Sequence, residues 1–271
     1  MNRTAQLICI WCGPAFMILL GVGAVNIGGL LPPWAGPDQD AAYVAQVFWD
    51  HANRIRLGAV IMAGGMGLVA PWGAAMAVQT RRREGRYPVL TYAQLTCAAA
   101  GTAMILVTCM FWGLAVFRPH GVSPDIVQFC HDAGWFFFLC TWCPFAVWCT
   151  AIGLATLLDK TDTPVYPRWA GYLSIWAALL VIPGGMIMFF RTGPLAYNGI
   201  LGLYIPVGSF SVWVITMTVL TIKNIKGGSY DEDLDLAAAT ATKSAHIKHA
   251  GRHGRSSQST RADRKSAQSS G

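Results

Sequence analysis

Six apolar stretches, each with twenty or more consecutive uncharged residues, decide what this chain can become. They run at about 7–31, 55–78, 91–117, 133–158, 169–190 and 199–222. Each is long enough to cross a hydrocarbon layer roughly 30 Å thick as a helix. Inside such a layer no water satisfies backbone N–H and C=O groups, so only helices and closed barrels can span it. Barrel strands alternate apolar and polar residues over about ten positions. A run such as "AMILVTCMFWGLAVF" (103–117) is apolar on every side and too long for that. The expected fold class is therefore all-α, a polytopic integral membrane bundle of six transmembrane helices within residues 1–226. Only 12% of the 271 residues are charged, about half the share in a soluble domain, which removes the alternative of two soluble domains.

The first stretch also has the look of a secretory signal, with Arg3 as its charged start and Ala24 as a cleavage point. Its apolar part continues to Leu31, beyond the roughly 7–15 residues of a usual signal core, so it is read as a retained helix. Basic residues set the orientation. With the N-terminus inside, the inner loops and N-terminus hold Arg3, Arg81, Arg82, Arg83, Arg86, Lys160 and Arg168, and the outer ones hold Arg54, Arg56, Arg118 and Arg191. Cytoplasmic loops carry the excess of Lys and Arg, so both termini are expected in the cytoplasm of a protein integral to the cell (plasma) membrane. The segment "QTRRREGRYP" (79–88) is the strongest marker. It accounts for much of the formal charge of +7 as membrane orientation, and no nucleic acid partner is implied.

Residues 227–271 change composition abruptly. They hold almost no large apolar side chains and cannot bury enough surface to offset the entropy of ordering, so a disordered cytoplasmic tail is expected, with a protein partner as its candidate function. His246, His249 and His253 in "HIKHAGRH" are read as part of that flexible basic stretch.

No Asp, Glu, Lys, Arg or His occupies the middle third of any stretch. Intramembrane charge marks proton relays and ion sites, so a central carboxylate relay is disfavoured. A cargo at mid-depth would meet hydroxyls, thiols, aromatic rings and backbone. Pro14, Pro71, Pro144, Pro183 and Pro206 fall within five of the six stretches. Each removes a backbone donor and tends to kink its helix, as in transporters whose broken helices line a binding site.

The ionisable groups collect instead at the outer boundary: Asp50, His51, Arg54, Arg118, His120, His131, Asp132 and Arg191 form the candidate outer-face site. Asp50 and Arg54 are four apart, a spacing at which they can pair on a helix. His131 and Asp132 sit where the chain enters the fourth stretch, and a histidine beside a carboxylate can act as a general base. No HExxH or similar spacing names a metal, and no nucleotide-binding fingerprint names a cofactor. "YVAQVFWDH" (43–51) and "DIVQFCHD" (125–132) echo one another.

Eight cysteines are present, and "CTWC" places Cys140 and Cys143 at C-x-x-C spacing. This motif near the outer end of a membrane helix resembles that of the membrane thiol oxidoreductases that pass electrons to quinone. The resemblance implies a dithiol at Cys140 and Cys143 working with a pair of loop cysteines, for which the outer loops supply Cys130 alone. Three function classes remain: transport or binding of an apolar or weakly polar small molecule; a scaffold or sensor acting through the tail; and a membrane enzyme using the outer histidines or the thiols. A membrane-impermeant maleimide should label Gly85→Cys, in the triple-arginine turn, only after the cells are opened, and Gly121→Cys in intact cells. The reverse pattern would overturn the orientation.

Overall fold

The computed structural model describes residues 3–161 and 163–227. Among them there is no strand. Six segments are long and apolar enough to cross a membrane: Arg3–Ile27, Ala52–Arg81, Val89–Ala115, Pro124–Leu158, Arg168–Met188 and Ile200–Lys226. The six-helix bundle expected from the sequence is the observed architecture. The chain divides into one unit of residues 1–223 and a second that begins at Asn224. The six crossings belong to the first unit, apart from residues 224–226 at the end of the sixth. The expected tail, with its three histidines, lies outside the described residues from position 228 onward.

The first crossing is α1 (Arg3–Gly21), which widens into a π-type stretch at Val22–Ile27. A short helix, α2 (Ala41–Asp50), precedes the second crossing, which consists of α3 (Ala52–Met66) and α4 (Val69–Arg81). The third is a single helix, α5 (Val89–Ala115), and the fourth is α6 (Pro124–Cys140) followed by α7 (Trp142–Leu158). The fifth runs from α8 (Arg168–Leu180) into a tight 3-10 segment, Ile182–Met188, and the sixth from a π-type stretch, Ile200–Tyr204, into α9 (Ile205–Lys226). Only α5 crosses unbroken.

Four of the five interruptions have one cause. Proline has no N–H to give to the carbonyl four residues before it. For Pro71, Pro144, Pro183 and Pro206 those carbonyls belong to Gly67, Cys140, Leu179 and Gly202. The helix breaks at or within two residues of each. At the fourth crossing the Thr141 hydroxyl donates to the Phe137 carbonyl at 2.7 Å, returning a donor to the frayed turn. Pro14 behaves differently and lies inside an unbroken α1. In this crossing the change comes eight residues later, where Gly23 packs backbone to backbone on α3. A methyl group on Gly58 would sit 2.5 Å from the Gly23 carbonyl oxygen and 2.6 Å from the Gly28 Cα.

The core is aromatic in two layers. Trp72, Trp148 and Trp213, from α4, α7 and α9, are fully buried and meet edge to face with ring centroids 5.4–5.9 Å apart. Edge-to-face geometry matches the quadrupoles of the rings. Two of the indole N–H groups are satisfied, Trp72 by the Thr218 hydroxyl and Trp213 by the Ser174 hydroxyl, both at 2.9 Å. The second layer, nearer the other end, joins Trp112, Trp135 and Phe138.

The fourth crossing starts at Pro124, nine residues earlier than hydropathy alone indicates. At 1.5 Å per residue its 35 residues span about 52 Å, well beyond the hydrocarbon thickness. A helix of that length must tilt or project, and α2 packs alongside the first turns of α6. The two echoed sequences are these partners: Phe48 of α2 meets His131 of α6 edge on at 5.1 Å, and the Gln128 amide donates to the Gln39 carbonyl at 3.1 Å. Gly58→Ala should force the first two crossings apart at a cost of about 1–3 kcal/mol, a fall of several degrees in the unfolding midpoint in detergent. Gly64→Ala, whose added methyl would meet nothing within 4 Å, should leave that midpoint unchanged or raise it.

Candidate functional site

The helix breaks converge. One apolar cavity is lined by Leu20 at the end of α1, Met66 and Val69 on either side of the second-crossing break, and Leu139 and Trp142 on either side of the fourth. Val181 and Pro206, at the breaks of the fifth and sixth crossings, complete the ring, so the four proline breaks border one space, with the last turn of α1 beside them. Its aromatic walls include Phe16, Phe138, Phe145 and Phe210. Phe145 and Phe210 stack at 4.4 Å, and Phe16 leans on Trp72 at 5.6 Å, so the tryptophan trio underlies the cavity. Phe138 belongs to the second aromatic layer. Ser211 is the only lining residue with a polar side chain apart from the Trp142 indole, and its hydroxyl is already spent on the Val207 carbonyl at 2.7 Å. The space measures about 70 Å³. The lining is aliphatic and aromatic and carries no charge, and hydropathy alone did not pick out the residues. The prolines were the usable signal.

The ionisable residues singled out in the sequence lie at one end of the bundle, here called the histidine end, but they do not converge. His51 forms the joint between α2 and α3, bonding the Val47 carbonyl through Nδ1 at 2.9 Å and packing on Trp34 at 4.3 Å. His120, with a left-handed backbone (φ 59°), packs on Trp49 at 4.5 Å. Because the helix breaks at His51, the Asp50–Arg54 pair does not form. Arg54 donates instead to the Ile27 and Asn26 carbonyls at 3.1 and 3.3 Å and lies over Trp34. It thereby caps the π-type stretch of the first crossing. Arg118 lies over its neighbour Phe117, and Arg191 donates to the Pro37 carbonyl at 3.4 Å. Among the described residues, no three His, Cys, Asp or Glu side chains gather as metal ligands do.

His131 is the exception to this dispersal, and it is buried, at 2% exposure. The Trp135 indole N–H donates to its Nε2 at 3.2 Å, and Nδ1 faces the Asp132 carboxylate at 3.2 Å. An indole can only donate, so Nε2 accepts and the ring proton sits on Nδ1, shared with Asp132. The ring meets Phe48 and Tyr197 edge on, while Trp135 and Tyr197 stack in parallel at 5.0 Å. The Tyr197 hydroxyl donates to the Ala35 carbonyl at 3.5 Å. Burial pushes the Tyr197 phenol well above its ordinary pKa, helped by Asp132 and Asp38 and opposed by Arg191, so it stays neutral. With both ring nitrogens bonded, His131 joins α2, α6 and the 189–199 loop.

Cys140 and Cys143 stand on opposite sides of the Thr141 break, Cys140 ending α6 and Cys143 exposed on α7. Cys130 is buried ten residues back along α6, about 15 Å away from Cys140 along the axis. All three are free thiols.

The opposite end, which carries Arg81–Arg86, holds a polar cleft of about 240 Å³ lined by Thr80, Arg83, Glu84, Thr156, Asp159 and Tyr166. The Glu84 carboxylate accepts from the Leu90 and Thr91 N–H groups at 2.7 Å each, satisfying orphan donors at the start of α5 where the helix dipole favours negative charge. Burial raises the Asp159 pKa, but bonds from Thr161 and Val165, together with the Arg83 charge, outweigh it and hold the group below its usual range. Its stabilising bonds are therefore present above the ordinary carboxylate range and are lost as pH falls through the depressed value.

No protein family, curated protein or solved structure matches this chain. His131→Ala should leave the Trp135 indole without an acceptor and open a hole between Phe48 and Tyr197. The expected cost is about 2–5 kcal/mol of stability, measured by denaturation in detergent. Asp50→Ala, at an exposed position that makes none of these contacts, should change stability by less than about 0.5 kcal/mol.

Proposed function

We propose that this protein binds and moves an apolar or weakly polar small molecule, with the central cavity as the binding site. The observation that carries the reading is the convergence of four proline-induced helix interruptions on one aromatic, uncharged space. Broken helices around a shared mid-depth site are the arrangement by which secondary transporters let one group of helices rock against another. Each of the four proline breaks is a hinge already free of one helical hydrogen bond. At about 70 Å³ the cavity is roughly half the size of an apolar core cavity that admits benzene, ~150 Å³. A larger cargo therefore requires the hinged halves to separate, and the hinges supply that motion. The cargo is held by shape and by ring contacts, since no charge lines the site.

The imbalance of basic residues supports placing the arginine end in the cytoplasm of a cell membrane, which puts the histidine end outside. In that frame the interlocked His131, Trp135 and Tyr197 close the bundle on its external side. The cavity lies beneath them.

Purification in a mild maltoside detergent, followed by mass spectrometry of organic extracts, tests the reading. An apolar small molecule should co-purify near one per chain. Val207→Trp, which fills the cavity, should lower its yield at least tenfold, and Val212→Trp, on the 55%-exposed side of α9, should leave it unchanged. Equal yields from the two variants, or bulk lipid alone from the native chain, would remove the proposal.

A further inference from the structure

A second space lies on the outside of the bundle and has a different chemistry. It is an open groove of about 510 Å³ beside α6, walled on the α5 side by Met104. Along α6 its lining comes from Phe129, Asp132, Phe136 and Cys140, together with Ala133 and Phe137. These positions recur at intervals of three and four, one stripe of a helix. From Phe129 to Cys140 the stripe is about 16 Å long. The wall is hydrocarbon and aromatic throughout, apart from one carboxylate near its histidine end.

Among the described residues that carboxylate is bonded by His131 Nδ1, whose Nε2 is taken up by the Trp135 N–H, and no Lys or Arg pairs with it. The Asp132 side chain is 44% exposed, so the carboxylate reaches the groove. Of the basic residues at this end, Arg56 holds the Val116 and Phe117 carbonyls and the Asn53 amide, Arg54 holds Ile27 and Asn26, Arg191 holds Pro37, and Arg118 lies over Phe117. Phe129, 66% exposed, and Phe136, 40% exposed, flank the carboxylate one turn to either side. Phenyl faces attract a cation electrostatically at up to ~6 Å from the ring centroid.

We infer that this groove binds a single-chain amphiphile with a cationic amine head, the ammonium pairing with Asp132 between Phe129 and Phe136 and the alkyl chain lying along α6 toward Cys140. Charge complementarity selects the head, since an anionic or zwitterionic phosphate would meet no basic residue in the lining. The hydrocarbon wall selects the chain. The site is distinct from the central cavity: Met104, Phe137 and Cys140 face the groove, whereas their neighbours Ile105, Phe138 and Leu139 face the cavity. A failure of either site therefore leaves the other standing.

The test uses the full chain in maltoside micelles at pH 7, titrated by calorimetry with dodecylamine, which is cationic there, and with dodecanol, its uncharged counterpart. The native chain should bind the amine at least tenfold more tightly than the alcohol. Asp132→Asn should bring the two within about twofold, Asp132→Glu should restore the preference, and Ala133→Trp should weaken both by filling the groove. Circular dichroism and gel filtration identify folded variants, and Asp132→Glu separates lost charge from lost structure. Equal affinity for amine and alcohol in the native chain, or a preference that survives Asp132→Asn, would overturn the assignment. Displacement of bound dodecylamine by an equimolar short-chain phosphatidylethanolamine would overturn the single-chain head.

Discussion

In a hydrocarbon solvent every backbone amide must find its partner within the protein, and the architecture depends on how this chain meets that demand and where it relaxes it. Helices satisfy it along six crossings. Four prolines withdraw a donor each, and a glycine contact loosens a fifth crossing, so the relaxations could have been scattered. The four proline breaks are gathered around one space. An unmet carbonyl costs least beside other loosened turns, a hydroxyl such as that of Thr141, or an adaptable aromatic wall.

Tryptophan holds the remainder rigid. On the far side of the cavity Trp72, Trp148 and Trp213 tie α4, α7 and α9 together. On the near side Trp112 and Trp135 bind α5 to α6. Large rings suit this task because helix association in lipid gains little from the hydrophobic effect and relies on packing and hydrogen bonds. Each indole brings broad contact and one polar handle. Thr218, Ser174 and His131 receive three of those handles, and in the last case the bond also fixes the tautomer of a histidine. A single donation from Trp135 thus directs the other ring nitrogen of His131 to Asp132.

Hydropathy sufficed for the six crossings, because length and lack of charge are local properties. The helix of the fourth crossing begins nine residues before its apolar stretch, since Pro124–Asp132 is amphipathic and buries Val127 and His131 against neighbours. The prolines were visible, but their convergence was not. Pro71, Pro144, Pro183 and Pro206 are spread over 136 positions, and nothing in the residue string relates the register of one crossing to another. Pro14 shows the limit of the inference, as an α-helix passes through it unbroken. At the histidine end the residue types were identifiable and the partnerships were not. His51 and His120 are occupied by Trp34 and Trp49, Arg54 turns to the first crossing, and the Asp50 pairing is lost to a helix joint. The Asp132 stripe with Phe129, Phe136 and Cys140 was present in the spacing, but a carboxylate among rings becomes informative only when its neighbours are known to be engaged elsewhere.

The overshoot of the fourth crossing has a consequence for the membrane around it. A column of about 52 Å set in a film of about 30 Å must either lean or project, and α2, leaning on its projecting part through Phe48, favours projection. For a projecting column the depth of Asp132 would follow local film thickness: thickening by sterols or longer acyl tails would submerge its carboxyl group, and thinning would lift it toward water. Lipid composition would in that way act as a dial on how strongly the groove beside α6 is felt from outside.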